Sequence, residues 1–265
     1  RSTRSSSCTL AALSRLATFV DRSLRGYREQ RDIPALTDAT SRLSPYLAIG
    51  ALSPRQCWRA AMNEALSHGP AAGIDTWISE LGWREFYKHI LVGFPRVNKH
   101  QPFRPETAAL VWREDEDGFQ RWCEGRTGFP IVDAAMRQLR ATGWMHNRLR
   151  MVTAMFLCKD LFIDWRRGER FFMRHLVDGD LAANNGGWQW SASTGNDAAP
   201  YFRIFNPRLQ SEKFDPEGVF IRRYVPELAG LDNKRIHEPL GKHRDLLLDY
   251  PPPMVDHRAA CEYTV

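Results

Sequence analysis

An all-α fold is predicted for this 265-residue chain on three observations. Apolar residues recur at helical spacing, as in Leu10, Leu13, Leu16, Val20 and Leu24. No run alternates at period two as a half-buried strand would. There is no βαβ alternation and neither a GxGxxG nor a GxxxxGKS/T motif, which excludes a Rossmann arrangement. The hydrophobic and charged fractions, 43% and 26%, are those of a globular protein able to bury a sizeable core.

In chain order, residues 1–9 are polar and low in complexity and read as a disordered lead or linker remnant, with one helical domain expected over 10–265. The segment Thr40-Ser41-Arg42-Leu43-Ser44 runs into Pro45 at a helix start. Its hydroxyls and arginine suit either an anion or simple capping. Ser53-Pro54-Arg55-Gln56 spells a capping box. A helix is expected from Asp75 through Leu91, with Trp77, Glu80, Arg84 and Tyr87 on one face. That face is polar and aromatic, so it reads either as a ligand face or as a solvated one carrying a Glu80–Arg84 i,i+4 pair. Pro95, Pro102 and Pro105 make the next stretch loop, and Trp112 and Trp122 sit in weakly patterned sequence.

Pro130 opens another helix with Asp133 in its first turn. After Gly143, Trp144 to Met151 leads into an apolar helix to Ile163, with Asn147, Arg150 and Met151 on one side. Asp164 to Gly168 then reads as a stop, followed by a shorter helix from Glu169 to Leu176. Asp178 through Trp190 has no apolar period but gathers two carboxylates, paired amides, Gly186-Gly187 and two tryptophans. The glycines suggest a turn or a close backbone approach to a ligand. Ile204 to Val225 is mixed, and the tail from Pro251 reads as loop.

Composition narrows the chemistry. The five cysteines (Cys8, Cys57, Cys123, Cys158, Cys261) never form CxxC, so free thiols are expected rather than disulfides or zinc. The eight histidines are scattered without HExxH, and GxSxG does not occur, which leaves metal and nucleophile catalysis unsupported. No apolar run reaches the roughly 18 residues of a membrane span, and no signal peptide is seen, so cytoplasmic or nucleoid residence is the default expectation. A net charge of +6 favours an anionic partner weakly. Nine tryptophans exceed what a core needs and point to stacking or electron transfer.

Four motifs, Thr40 to Ser44, Trp83-Arg84-Glu85-Phe86-Tyr87, Gly143-Trp144-Met145-His146-Asn147-Arg148 and Asp178 through Trp190, resemble the photolyase/cryptochrome family. The similarity is closest to class I cyclobutane pyrimidine dimer photolyases and runs from about Tyr27 to Pro253. It implies an all-α FAD-binding domain without the family's N-terminal α/β antenna domain, hence a fragment that binds no folate or deazaflavin pigment. It further implies that FAD, active when reduced, is held by Tyr27, Thr40, Ser41, Arg42, Leu43, Ser44, Trp77, Glu80, Arg84, Trp144, Asn147, Arg150, Asp178, Asp180 and Asn184, with Asn184 at flavin N5.

By the same resemblance Glu80, Trp83, Asn147, Met151 and Trp190 receive a pyrimidine dimer flipped out of DNA, and Arg148 and Arg203 are candidates for phosphate or pocket contact. Trp112, Trp165 and Trp188 match an electron-hopping chain, and Glu80 and Asn184 complete the catalytic set. The expected activity is light-driven dimer repair by a monomer acting on damaged DNA. The alternatives are a cryptochrome-type blue-light receptor and a cofactor-free helical DNA-binding module. Asn147 after His146 argues for a cyclobutane substrate, and Asn184 argues against a plant-type receptor.

Overall fold

The computed structural model describes residues 2–196, 203–240 and 249–264, with side chains from Ser7 onward and excluding Thr264. Every regular element among the described residues is helical, as the periodicity predicts. The backbone groups into two compact units, residues 1–92 with 177–183 and residues 93–176 with 184–265, where the sequence suggests a single domain over 10–265.

The first unit contains α1 (Ser2–Arg22), α2 (Tyr27–Gln30), α3 (Ser44–Ala48), α4 (Pro54–His68) and nearly all of α5 (Ala72–Gly93). Helix α1 extends through residues 2–9, read from sequence as a disordered lead. Serine and threonine disfavour helix only mildly, and a helix already nucleated by a buried stripe propagates residue by residue. That stripe is Ala12, Leu16 and Phe19, whereas Leu10 and Leu13 of the expected apolar series are exposed. The core adds Leu24, Tyr27, Leu43, Leu52, Cys57, Ala61, Ile74 and Trp77. Trp77 therefore belongs to this core, its ring 5.2 Å from Phe19, and not to an open polar face. Gly73 is required where α5 starts, because a Cβ there would stand 2.3 Å from the carbonyl oxygens of Leu24 and Arg25. The Ser53–Gln56 capping box forms as predicted, with both reciprocal bonds present.

The second unit holds α6 (Glu116–Glu124), α7 (Pro130–Thr142), α8 (Asn147–Met155), α9 (Trp165–His175), most of α10 (Leu181–Ser191), α11 (Pro207–Phe214), α12 (Val219–Tyr224) and α13 (His257–Thr264). Helix α7 is buried along nearly its whole length and is packed by α6, α8, α11 and α12. In its first turn the fully buried Asp133 accepts from Thr127 N (2.7 Å), Thr127 Oγ1 (2.6 Å), Gly128 N (3.1 Å) and Tyr250 Oη (2.5 Å). One carboxylate thus ties the C-terminal stretch to α7, and Met254 N adds a bond of 2.9 Å to Thr127 O.

Four sequence expectations are corrected here. The apolar helix expected to reach Ile163 gives way after Met155 to a π-helical turn, Phe156–Asp160, and ends there. Asp164 does not stop a helix but starts α9, its side chain accepting from Arg166 N at 2.9 Å, and Gly168 lies inside that helix. Gly186 and Gly187 make no turn, because they continue α10. The tail beyond Pro251 is not all loop: α13 docks on the π turn, with His257 Nδ1 2.5 Å from the buried Asp160 Oδ1. No helix among the described residues is long and apolar enough to cross a membrane.

Candidate functional site

In the first unit, the Thr40–Ser44 turn is set by Arg42 at φ 50°, an uncommon left-handed value for a side-chain-bearing residue. Arg15 Nε donates to Ser41 O at 2.9 Å and fixes the turn from α1. The N-cap of α3 is Leu43, whose apolar side chain makes no capping bond, and the hydroxyl-bearing Thr40, Ser41 and Ser44 flank it in sequence. Leu43 buries its side chain in the core and offers this turn only its backbone. Asp180 sits 3.3 Å from Lys88 Nζ and 3.9 Å from Arg84 Nη2, and it also accepts from Ala183 N at 3.1 Å at the start of α10. Arg84 donates to Leu47 O as well, at 3.3 Å. Asp178 is buried two residues before Asp180.

The Glu80–Arg84 i,i+4 pair of the solvated-face alternative does not form. Glu80 instead pairs with Arg31, and Arg84 with Glu85 at 2.8 Å. Arg31 also places its guanidinium 5.5 Å from the ring of Tyr27, whose hydroxyl is pushed up by burial and by the Glu80 carboxylate. Sequence reading missed Arg31 because its partner lies 49 positions away and no local pattern joins them. Trp83 is 45% exposed and forms an aromatic group with Phe86 (5.4 Å) and Tyr87 (6.2 Å) on α5.

In the second unit, Asn147 is exposed at the first turn of α8 and shares a face with the half-buried Met151, four positions on. Arg150 Nε is tied to Met145 O at 2.9 Å, and the ring of Trp144 meets His146 edge-on at 6.3 Å. Arg148 lies 4.4 Å over the Phe214 ring, beside Lys213 at 5.2 Å, and Arg203 is exposed. On α10, Asn184 Nδ2 donates to Glu169 O at 3.0 Å. Trp190 is half-buried, 6.4 Å from Phe205, and a two-residue step turns it about 200° around the helix from Trp188.

Trp165 and Trp188 are fully buried, and Trp112 is half-buried against Phe162 at 5.4 Å. The Trp188 ring lies over Gly168, where a Cβ would stand 2.1 Å from Cη2, one turn along α9 from Trp165. Trp122, read as unpatterned, is an inner member of this cluster: it is 6.0 Å from Trp188 and stacked on Phe172 at 6.0 Å. An amphipathic reading of α6 would have found it.

Taken unit by unit, these residues carry groups that suit parts of a flavin dinucleotide on three counts. Hydroxyls and an arginine at the turn before α3 suit a diphosphate. Carboxylates with neighbouring cations and an amide suit the edges of ribose and ring. The buried Trp188 Nε1–H has no hydrogen-bond partner among the described residues, and a Cβ at Gly187 would meet none of them within 4 Å. No group of histidine, cysteine and carboxylate side chains able to hold a metal occurs among the described residues.

Comparison with known proteins agrees with this chemistry. The family described as the FAD binding domain of DNA photolyase matches residues 77–265. A deoxyribodipyrimidine photo-lyase of Salmonella typhimurium is 55% identical over 94% of this chain and 53% of its own length. The crystal structure of a class III photolyase from Agrobacterium tumefaciens superposes with TM-score 0.91 at 46% identity, covering 97% of this chain and 54% of that one. A Synechocystis cryptochrome gives TM-score 0.91 at 34% identity, covering 97% and 55%. The chain spans about half the length of the curated relatives it matches. With a family match over more than half its residues and curated relatives above 50% identity, the chain belongs to the DNA photolyase family through its FAD-binding domain.

Proposed function

We propose that this chain carries out light-driven repair of cyclobutane pyrimidine dimers in DNA. The observation that carries the reading is identity above 50% to proteins named deoxyribodipyrimidine photo-lyase across 94% of the chain. When bound, reduced FAD supplies an electron to the dimer under blue light and receives it back once the ring has opened.

The chain's residues bind, orient and exclude water. In the first unit, Thr40, Ser41, Arg42 and Ser44, with the Leu43 backbone, hold the diphosphate, while Tyr27, Trp77, Arg84, Asp178 and Asp180 order its surroundings. Glu80, positioned by Arg31, hydrogen-bonds the base edge, and Trp83 offers an exposed ring to the lesion. In the second unit, Trp144, Asn147, Arg150 and Asn184 serve the cofactor; Met151 and Trp190 provide apolar walls; Arg148 and Arg203 meet phosphate. Asn184 has one amide hydrogen tied to Glu169 O, which leaves its oxygen as the acceptor for a protonated ring nitrogen. The buried Trp188 and Trp165, with Trp112, feed electrons to the cofactor. The protein acts as a monomer in the cytoplasm and nucleoid, and the antenna pigment lies outside this domain.

The test uses the purified, chemically reduced protein with an oligonucleotide carrying one defined thymine dimer, illuminated in blue light against a dark control. Recovery of intact thymines only in the light is expected. Bound flavin without repair would favour the receptor, and a colourless protein would overturn both readings. DNA affinity should fall steeply with salt as phosphate contacts are screened.

A further inference from the structure

One buried carboxyl in the second unit has no place in that scheme. Glu169, in the middle of α9, is 1% exposed, and neither of its side-chain oxygens has a hydrogen-bond partner among the described residues. A carboxyl in such a setting is unfavourable when charged. Burial pushes it above the ordinary carboxylate range, against the opposing pull of His100, Arg170 and the amides of Asn184 and Asn185. These are the charged and polar groups that face it: His100 from the loop after residues 97–99, Arg170 from α9 itself, and two neutral amides from α10.

The carboxyl lies between a partly exposed imidazole and two amides of α10. Toward solvent, His100 Nδ1 lies 3.5 Å from Glu169 Oε2, and the imidazole is 44% exposed. His100 takes a left-handed φ of 55° and is held by Arg166 Nε donating to its carbonyl at 2.6 Å. Toward α10, Asn184 hydrogen-bonds the Glu169 backbone, and Asn185 is locked by Gln189 Nε2 donating to its Oδ1 at 2.8 Å. A partly exposed imidazole against a buried carboxyl gives a proton a route between solvent and Glu169.

We infer that Glu169, loaded through His100, takes up one proton when negative charge is added at the Asn184 site and releases it when that charge leaves. In the uptake step the N–H bond of a His100 imidazolium breaks, an O–H bond forms on Glu169 Oε2, and the imidazole recovers its proton from water. No electron passes through either residue; the electron comes from an external reductant. The inference rests on the placement of Asn184 beside the flavin, and it concerns charge compensation, not the repair step.

The experiment is a redox titration of the bound flavin without DNA or light, counting protons taken up with a pH indicator, in wild type, Glu169→Gln and His100→Gln. Glu169→Gln, a permanently neutral isostere, should take up one proton fewer per flavin reduced. His100→Gln should keep the wild-type count but reach it more slowly. Equal proton counts in wild type and Glu169→Gln overturn the inference. Should Glu169→Gln fail to fold, infrared difference spectra of wild type decide: reduction must produce a protonated-carboxyl C=O band, and its absence overturns the inference. A protein that binds no flavin would instead overturn the proposed function.

Discussion

Charged side chains on and against α5 of the first unit stay partly in water: Glu80 of α5 and Arg31, just after α2, are 30% and 23% exposed, and Lys88, opposite Asp180, is 40% exposed. In the second unit Asp133, Asp160, Glu169, Asp215 and Lys159 are all buried. The first arrangement leaves charge available at the surface and tolerates rearrangement, because a solvated pair contributes little. The second fixes backbone segments distant in sequence and leaves a costly orphan whenever a partner is lost. The charge on and against α5 is therefore separable from stability, while the buried charges of the second unit are part of its core.

Asp133→Ala should sharpen this contrast most. Thr127, Gly128 and Tyr250 would lose their shared acceptor inside the core. A loss of about 3–5 kcal/mol is expected in denaturant unfolding followed by helical circular dichroism, and a loss below about 1 kcal/mol would contradict the tie between α7 and the C-terminal stretch.

Lys159 comes next. Its ammonium donates to Ser193 Oγ at 2.7 Å and Arg203 O at 3.3 Å, and burial pushes it down to about 8. A depressed folded value means that the folded state binds the proton less tightly than the unfolded one. This residue's contribution is thus best above the ordinary lysine range and is lost as pH falls through about 8. Wild type should gain on Lys159→Met between pH 8 and the ordinary lysine value, by at most about 3 kcal/mol. A constant difference between the two proteins would count against a desolvated ammonium.

Gly168→Ala inserts a methyl where Trp188 Cη2 already stands, which should cost about 1–3 kcal/mol and shift the tryptophan fluorescence. Unchanged fluorescence would mean that Trp188 is not held against α9. Arg31→Gln is the smallest effect, under about 1 kcal/mol in stability, since the pair it breaks is partly solvated. A larger loss would erase the contrast between the units.

Local chemistry explains how much of this was legible in the sequence. The Ser53 box and Pro130 announced α4 and α7 because caps are local. Asp180, read only as a ligand group, also caps Ala183 at the start of α10, so a polar stretch without apolar period folds as helix. Helix α12 was hidden because Asp215 caps the amides of Phe220 and Ile221 from outside it. Helix α13 owes its docking to Asp160, 97 positions from His257. At the candidate site the polar motifs were visible as residue types, but Arg31 against Glu80 and Trp122 against Trp188 are tertiary pairings that no spacing rule contains.

The division between electron supply and lesion chemistry is tested most directly by Trp188→Phe, measured twice on one preparation. Photoreduction of the oxidised bound flavin should slow at least about tenfold, equivalent to about 1.4 kcal/mol of barrier. Dimer repair by the chemically pre-reduced protein should stay close to wild type. Photoreduction at the wild-type rate would remove Trp188 from the electron path, and a parallel loss of both activities would show that the buried cluster serves repair itself and contradict the division.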